Sequence, residues 1–450
     1  MRVSIAVCLA LLGVATSVAF AASAAQRSVW VPLGGDGGKQ STQLGLLRSG
    51  GVLHVVSAQG APASLVDTQL NGSGKVQRTA TVASNFDSAG GLSLVGMADG
   101  SVRLFAAGGD RPGLASNLSG INSFVSAPRS TSWALDPTAL WGGAAAGASD
   151  EIGATRMGDQ PVTAWSGGFV HVGLRPSAGP DPNYQPDCCG IAPQLATDAA
   201  TGAVVMSWLS NGRDSGTYVK QVLPTIGATE SLPSGLTEGS SGIAARSGAP
   251  GTFVAFTDPS KQLVELHQYG GRTFVVARGS FRVAKVFSAP EGRLWVLWGD
   301  ANSAAFVTRS NKVATRWEPV QRLPLPSKLT AFYNAQGEGS AGPLDAFVDL
   351  LVGSTDRRFW RAHVLPQPSL AAAITGAGGR SQTQVVSFRV TDAGDPLKGA
   401  IIVVARGGTT LARLRTDANG HASTSYTGPT RLTATASAPG YDSAIITVGH

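Results

Sequence analysis

Cysteine is nearly missing from this chain, at 3 of 450 residues. Cys8 lies in an apolar leader, so the adjacent pair Cys188 and Cys189 would be the only cysteines of a processed chain. That excludes a disulfide-framework protein and any cysteine-based zinc finger. Histidine is also scarce, and His54, His171, His267 and His363 each stand alone in or beside an apolar segment. With no H-x-H or H-E-x-x-H spacing and no acidic calcium loop, neither a metal site nor a cofactor is expected. A phosphate-binding glycine loop and a G-x-S-x-G elbow are absent too, so no catalytic residue can be named. Charged residues make up only 14 %, and the formal charge of +7 rests on scattered arginines. Without a long basic run or a recognition motif, nucleic acid is not an expected partner. No window carries a sustained helical apolar period, and beyond the leader no apolar run is long enough to span a bilayer.

The leader itself is informative. Arg2 supplies a basic start, residues 3–20 are almost wholly apolar, and Ala22-Ser23-Ala24 is an A-x-A cleavage signal. Residues 1–25 therefore read as a signal peptide, which predicts a secreted, extracellular protein. Cys8 falls inside the apolar run rather than after it, so it does not read as a lipid-attachment cysteine.

The rest is rich in turn formers, with 58 glycines and 25 prolines, which fits an all-β chain. A block recurs: apolar strand, short Gly/Asp turn, apolar strand. It occupies 44–56, 92–105, 152–174, 193–223, 243–276, 284–307 and 329–364, with starts 41 to 60 residues apart. That period belongs to four-stranded units set radially, so residues 26–367 are expected to form a six- or seven-bladed β-propeller. Tryptophans fall one or two per block, where they would pack between blades. Residues 28–33 alternate and precede the first block. A lone strand there would leave an unpaired edge, so it is expected to close the ring against residues 345–364.

After Pro366-Gln367-Pro368 the segments shorten. Seven short strands are expected between residues 370 and 448, with alternation in Val386-Phe388-Val390 and Leu432-Ala434-Ala436. So many strands in so short a stretch predict a β-sandwich over 368–450. Gly394-Asp395-Pro396-Leu397-Lys398-Gly399-Ala400, then Thr416-Asp417-Ala418-Asn419-Gly420, then Pro439-Gly440-Tyr441 resemble the G-x-P-x-x-G-A, T-D-x-x-G and P-G-Y stretches of bacterial Ig-like and carboxypeptidase-regulatory-like modules. The resemblance implies a small Ig-like or transthyretin-like sandwich that serves as a spacer or adhesion unit and adds no catalytic group.

In repeat length and block shape, the first region resembles secreted bacterial β-propellers of the sialidase-like kind. The turn motif of that family, Ser-x-Asp-x-Gly-x-x-Trp, is approached at Gly34-Gly35-Asp36-Gly37-Gly38 and Gly212-Arg213-Asp214-Ser215-Gly216. Both keep the Asp and the Gly, lack the Ser and the Trp, and read equally as plain turns. Sialidase activity would need three arginines, a Tyr/Glu nucleophile pair and an acid Asp, and the sequence does not single them out. Ala196-Thr197-Asp198-Ala199-Ala200-Thr201-Gly202, followed by Trp208, resembles one quinoprotein-dehydrogenase repeat, but it occurs once and is also an ordinary hairpin turn.

Two local features remain. Cys188 and Cys189 end a proline-rich loop that includes Tyr184 and Asp187. Export would place them where thiols oxidise, so Cys188 and Cys189 are expected to bond to each other, in a strained bridge because consecutive Cα atoms lie about 3.8 Å apart. The loop reads as a rigid plug or as a ligand platform; an intermolecular disulfide or free thiols are the other readings. Arg357-Arg358-Phe359-Trp360-Arg361 reads as a hairpin end or as an aromatic-basic patch for an acidic ligand. Two functions follow. One is a non-catalytic extracellular binding protein that engages glycans or other surface partners. The other is a sialidase-like glycoside hydrolase, with a quinoprotein-type oxidoreductase as a third reading.

Overall fold

The computed structural model describes residues 29–33, 43–60, 62–86, 89–108, 120–128, 130–136, 152–166, 170–173, 190–210, 215–300, 303–326, 329–353, 356–375, 383–427 and 431–449. Apart from the three-residue 3-10 helices Glu238–Ser240 and Pro290–Gly292, every regular element among them is a strand. None of the described helices is long and apolar enough to cross a membrane.

Each of the seven sequence blocks lies in its own antiparallel sheet. Sheet 1 spans 45–86, sheet 2 89–135, sheet 3 152–173, sheet 4 190–232, sheet 5 241–278, sheet 6 283–324 and sheet 7 329–364. Within each, consecutive strands are hydrogen-bonded neighbours. Sheet 3 has three strands among the described residues, and the other six have four. Strands such as Val204–Ser210 and Leu294–Gly299 are buried along their whole length because both faces are covered. Successive side chains point to opposite faces. Val204, Met206 and Trp208 therefore share a core with Val162 and Ala164 of sheet 3, while Val205 packs on Val254 and Phe256 of sheet 5.

The cores show how the sheets are arranged. A separate apolar cluster joins sheets 1 and 2, 2 and 3, 3 and 4, 4 and 5, 5 and 6, and 6 and 7. One more joins sheet 7, through Phe347 and Phe359, to Leu44, Leu53 and Leu70 of sheet 1. The sheets thus form a closed, propeller-like ring. Val31 and Pro32 pair with Arg361 and Trp360 in sheet 7, as expected of the first strand. Trp30 is buried in the cluster between sheets 6 and 7. At the centre, glycines let neighbouring strands approach closely. A Cβ on Gly153 would lie 2.7 Å from the Pro193 carbonyl, and one on Gly242 2.8 Å from the Lys285 side chain.

The C-terminal residues form two further sheets. One contains Ser369–Thr375, Thr383–Asp392, Asp395–Pro396 and His421–Thr427. The other contains Ile401–Arg406, Thr409–Arg415, Leu432–Ser437 and Ala444–Val448. They share one core around Val386, Phe388, Ile402, Val404, Leu432 and Ala434. All seven short strands expected here are present. The added Asp395–Pro396 strand completes a two-residue hairpin at Ala393-Gly394, whose φ values of 51° and 93° are both left-handed.

Candidate functional site

The first strands of the seven sheets surround an axial channel of about 220 Å³. Each first strand has a free edge turned inward, and unpaired backbone groups there must find partners. Side chains supply them. The Gln43 amide donates to the Ile152 carbonyl (2.9 Å) and accepts from its N–H (3.0 Å). Gln336 accepts from the Leu44 N–H at 2.7 Å, and Gln194 from the Ile243 N–H at 3.3 Å. The buried Lys285 ammonium donates to the carbonyls of Glu238 (2.7 Å) and Ser241 (2.6 Å). These polar groups hold the ring together. Among the described residues, the channel lining contains no arginine and no carboxylate.

Beside the channel end where the first strands begin, a β-bulge re-aims one residue. Phe332 pairs with Leu350 and Asn334 with Asp349, which leaves Tyr333 as the extra residue. Tyr333 is 41 % exposed. The Arg357 guanidinium lies 4.1 Å from its ring centroid. Arg357 is itself fixed: Nε donates to both Asp349 oxygens at 3.1 Å, and Nη2 donates to one at 2.5 Å. Asp349 is 1 % exposed. Burial pushes its carboxyl above the ordinary value against the opposing pull of Arg357, and the hydrogen bond to Asp349 raises Arg357 in turn. The Glu238 charge also acts on both. The result is an exposed aromatic ring backed on one face by an immobilised cation.

The opposite mouth is wider, at about 470 Å³. Phe287 is half-buried there, with Thr155, Thr197, Ser288, Arg246 and Glu338 around it. Glu338 pairs with Arg48 at 2.8 Å. Arg246 donates to the carbonyls of Gly292 (2.8 Å), Pro250 (3.1 Å) and Lys312. Burial holds Arg246 below its usual range.

The residues singled out in the sequence separate into groups. Tyr184, Asp187, Cys188 and Cys189 lie outside the described residues, as do residues 1–28, Asp36 and Asp214. The Arg357–Arg361 stretch is not one patch. Arg357 stacks on Tyr333, Phe359 is buried between sheets 7 and 1, and Arg361 donates to the Gly74 carbonyl. Asp198 is a turn former, accepting from the N–H groups of Ala200 and Thr201, and it also accepts from Gly251 of the next sheet. Trp165, Trp208, Trp295 and Trp298 are buried between sheets. His54, His267 and His363 sit against the carboxylates of Asp67, Glu230 and Asp345. Tyr333, Asp349 and Arg246 were not recognised from sequence. The signal for Asp349 was its place in an apolar strand, Leu344–Val352, where a buried carboxylate requires a cation.

No known family profile matches the chain, and no curated protein matches it. Some solved structures are distantly similar to it. The SapL1 lectin in complex with alpha methyl fucoside is 14 % identical over 65 % of this chain and 99 % of its own, with a TM-score of 0.41. The polysaccharide lyase Uly1 is 11 % identical over 71 % and 89 %, at 0.43. The sialidase of Trypanosoma rangeli is 8 % identical over 90 % and 83 %, at 0.36. At these values the likenesses carry no argument about fold, ligand or activity.

Proposed function

We propose that this chain is an exported, non-catalytic glycan-binding protein. In this reading residues 1–25 are a signal peptide, residues 26–367 a seven-bladed propeller and residues 368–450 an Ig-like module. The observation that carries the binding reading is Tyr333. It is lifted out of its strand by a bulge and held flat against Arg357, which the buried Asp349 immobilises. A rigid aromatic face beside hydrogen-bonding groups suits a sugar ring, whose C–H face stacks while its hydroxyls bond at the rim. Little ordering is needed on binding, because the platform is already fixed.

The hydrolase alternative draws on the same cluster, since a tyrosine and the carboxylates of Glu238 and Asp349 surround one arginine. Against it, Asp349 is closed on Arg357 rather than open to a substrate, and the channel lining adds no further arginine. The test is a glycan array and a fluorogenic-glycoside screen on the mature protein, repeated with Tyr333→Ala. The expected result is binding without turnover, weakened about tenfold or more by the substitution, as for loss of a stacking contact. Turnover abolished by Tyr333→Phe would establish the hydrolase instead, and binding unaffected by Tyr333→Ala would remove the platform.

A further inference from the structure

The C-terminal sheets contact sheet 6 through a buried ion network. The hairpin at Ala393-Gly394 brings Asp392 and Asp395 side by side as a pair. Two adjacent carboxylates repel unless cations lie between them and their surroundings. Arg293 of sheet 6 meets both, at 3.2 and 2.8 Å, and Arg309 meets Asp392 at 2.8 Å. Tyr441, from the closing P-G-Y turn, donates to Asp392 at 2.7 Å, and its ring stacks under Arg309. Glu318 accepts from Arg309 and from the Gln367 N–H. Arg309 is 3 % exposed and Asp392 2 %. Breaking buried pairs of this kind is costly, because the remaining partner is left as an uncompensated charge.

The network continues to the wider mouth. Asp395 also accepts from the Lys312 N–H at 3.0 Å. The carbonyl of Lys312, and that of Gly292 next to Arg293, are two of the three that hold Arg246. Gly292 has a φ of 75°, and a Cβ there would lie 2.9 Å from the Arg246 guanidinium, so backbone and side chain fit closely. The segments that grip Arg246 are therefore the same segments that the Asp392–Asp395 hairpin grips from the other side.

We propose that the C-terminal sheets are a fixed part of the wider mouth, with Asp392 and Asp395 acting as positioning residues for Arg246. They are then no mere spacer, as the module resemblance implied, and the shape of the mouth depends on their docking.

The test uses the full mature chain and an Asp392→Asn/Asp395→Asn variant. Small-angle scattering measures docking, and mass spectrometry after phenylglyoxal treatment measures the reactivity of Arg246 against the exposed Arg278. The expected result is a larger radius of gyration with Arg246 labelled about tenfold faster, as for a locally released segment. Asp395→Glu should restore slow labelling. An unchanged radius would show that the network does not hold the sheets. A larger radius with unchanged Arg246 labelling would show that docking does not position Arg246. If the double variant does not fold, Tyr441→Phe removes only the hydroxyl donor, and the same two measurements decide the matter.

Discussion

Gly153 sits where its neighbours leave no room: a Cβ would meet the Pro193 carbonyl at 2.7 Å and the Gln194 Cα at 2.9 Å. Both are backbone atoms and cannot rotate away. Gly153→Ala should cost about 1–3 kcal/mol as overpacking, read from urea unfolding. Gly50 is the contrast, since nothing lies within 4 Å of its Cβ position but its φ of 56° is left-handed. Gly50→Ala should cost only about 1–2 kcal/mol, from the backbone alone. Tyr441 carries a pH effect. Burial and the Asp392 charge push its hydroxyl up to about 12, above the usual 10.0. Between these values the unfolded chain has lost the proton and the folded chain keeps it. Stability is therefore fully present below about pH 10 and falls as pH rises toward 12. Tyr441→Phe should flatten that part of the profile, measured by denaturant titration at stepped pH. Some of this was legible in sequence. In Thr416-Asp417-Ala418-Asn419-Gly420, Asp417 accepts from the N–H groups of Asn419 and His421, the turn its composition announces. The partnership of Tyr333 with Arg357 was not legible, because it depends on a bulge and on a neighbour two strands away.

At the level of strands, the inner ones were readable and the outer ones were not. Val52–Gln59 and Leu294–Gly299 are packed between sheets and are mostly apolar, Leu294–Gly299 without a polar residue. Val76–Phe86 and Thr229–Leu232 lie at the outer rim, are largely exposed, and carry only scattered apolar residues. Their pairing comes from the strand beside them rather than from their own composition. The closing strand is only Val31–Pro32, but it is anchored by Trp30. Trp30→Ala should lower stability by about 3–5 kcal/mol, seen as a drop in Tm. Arg48 secures the same seam by pairing with Glu338 and Asp345. All three side chains are largely buried, so Arg48→Ala should cost about 3–5 kcal/mol in the same measurement by leaving Glu338 without its cation and Asp345 with His363 alone.

For the molecule as a whole, seven inter-sheet cores make a ring in which sheet 7 packs on sheet 1 as well as on sheet 6. The two halves of the seam are about as far apart in sequence as the ring allows, with Val31 opposite Arg361. Closure of such distant contacts is slow, so refolding followed by tryptophan fluorescence should show a late phase that Trp30→Ala selectively slows. The seam can also be regarded as molecular recognition. Residues 29–33 form a short peptide that adds to the edge of sheet 7 as a strand, with Trp30 as its side-chain anchor. The chain leading to Leu44 keeps that peptide at millimolar effective concentration. Cutting an engineered protease site between Leu33 and Gln43 would turn an internal strand into a dissociable ligand. Integrity of the ring would then depend on protein concentration, and added peptide could restore it.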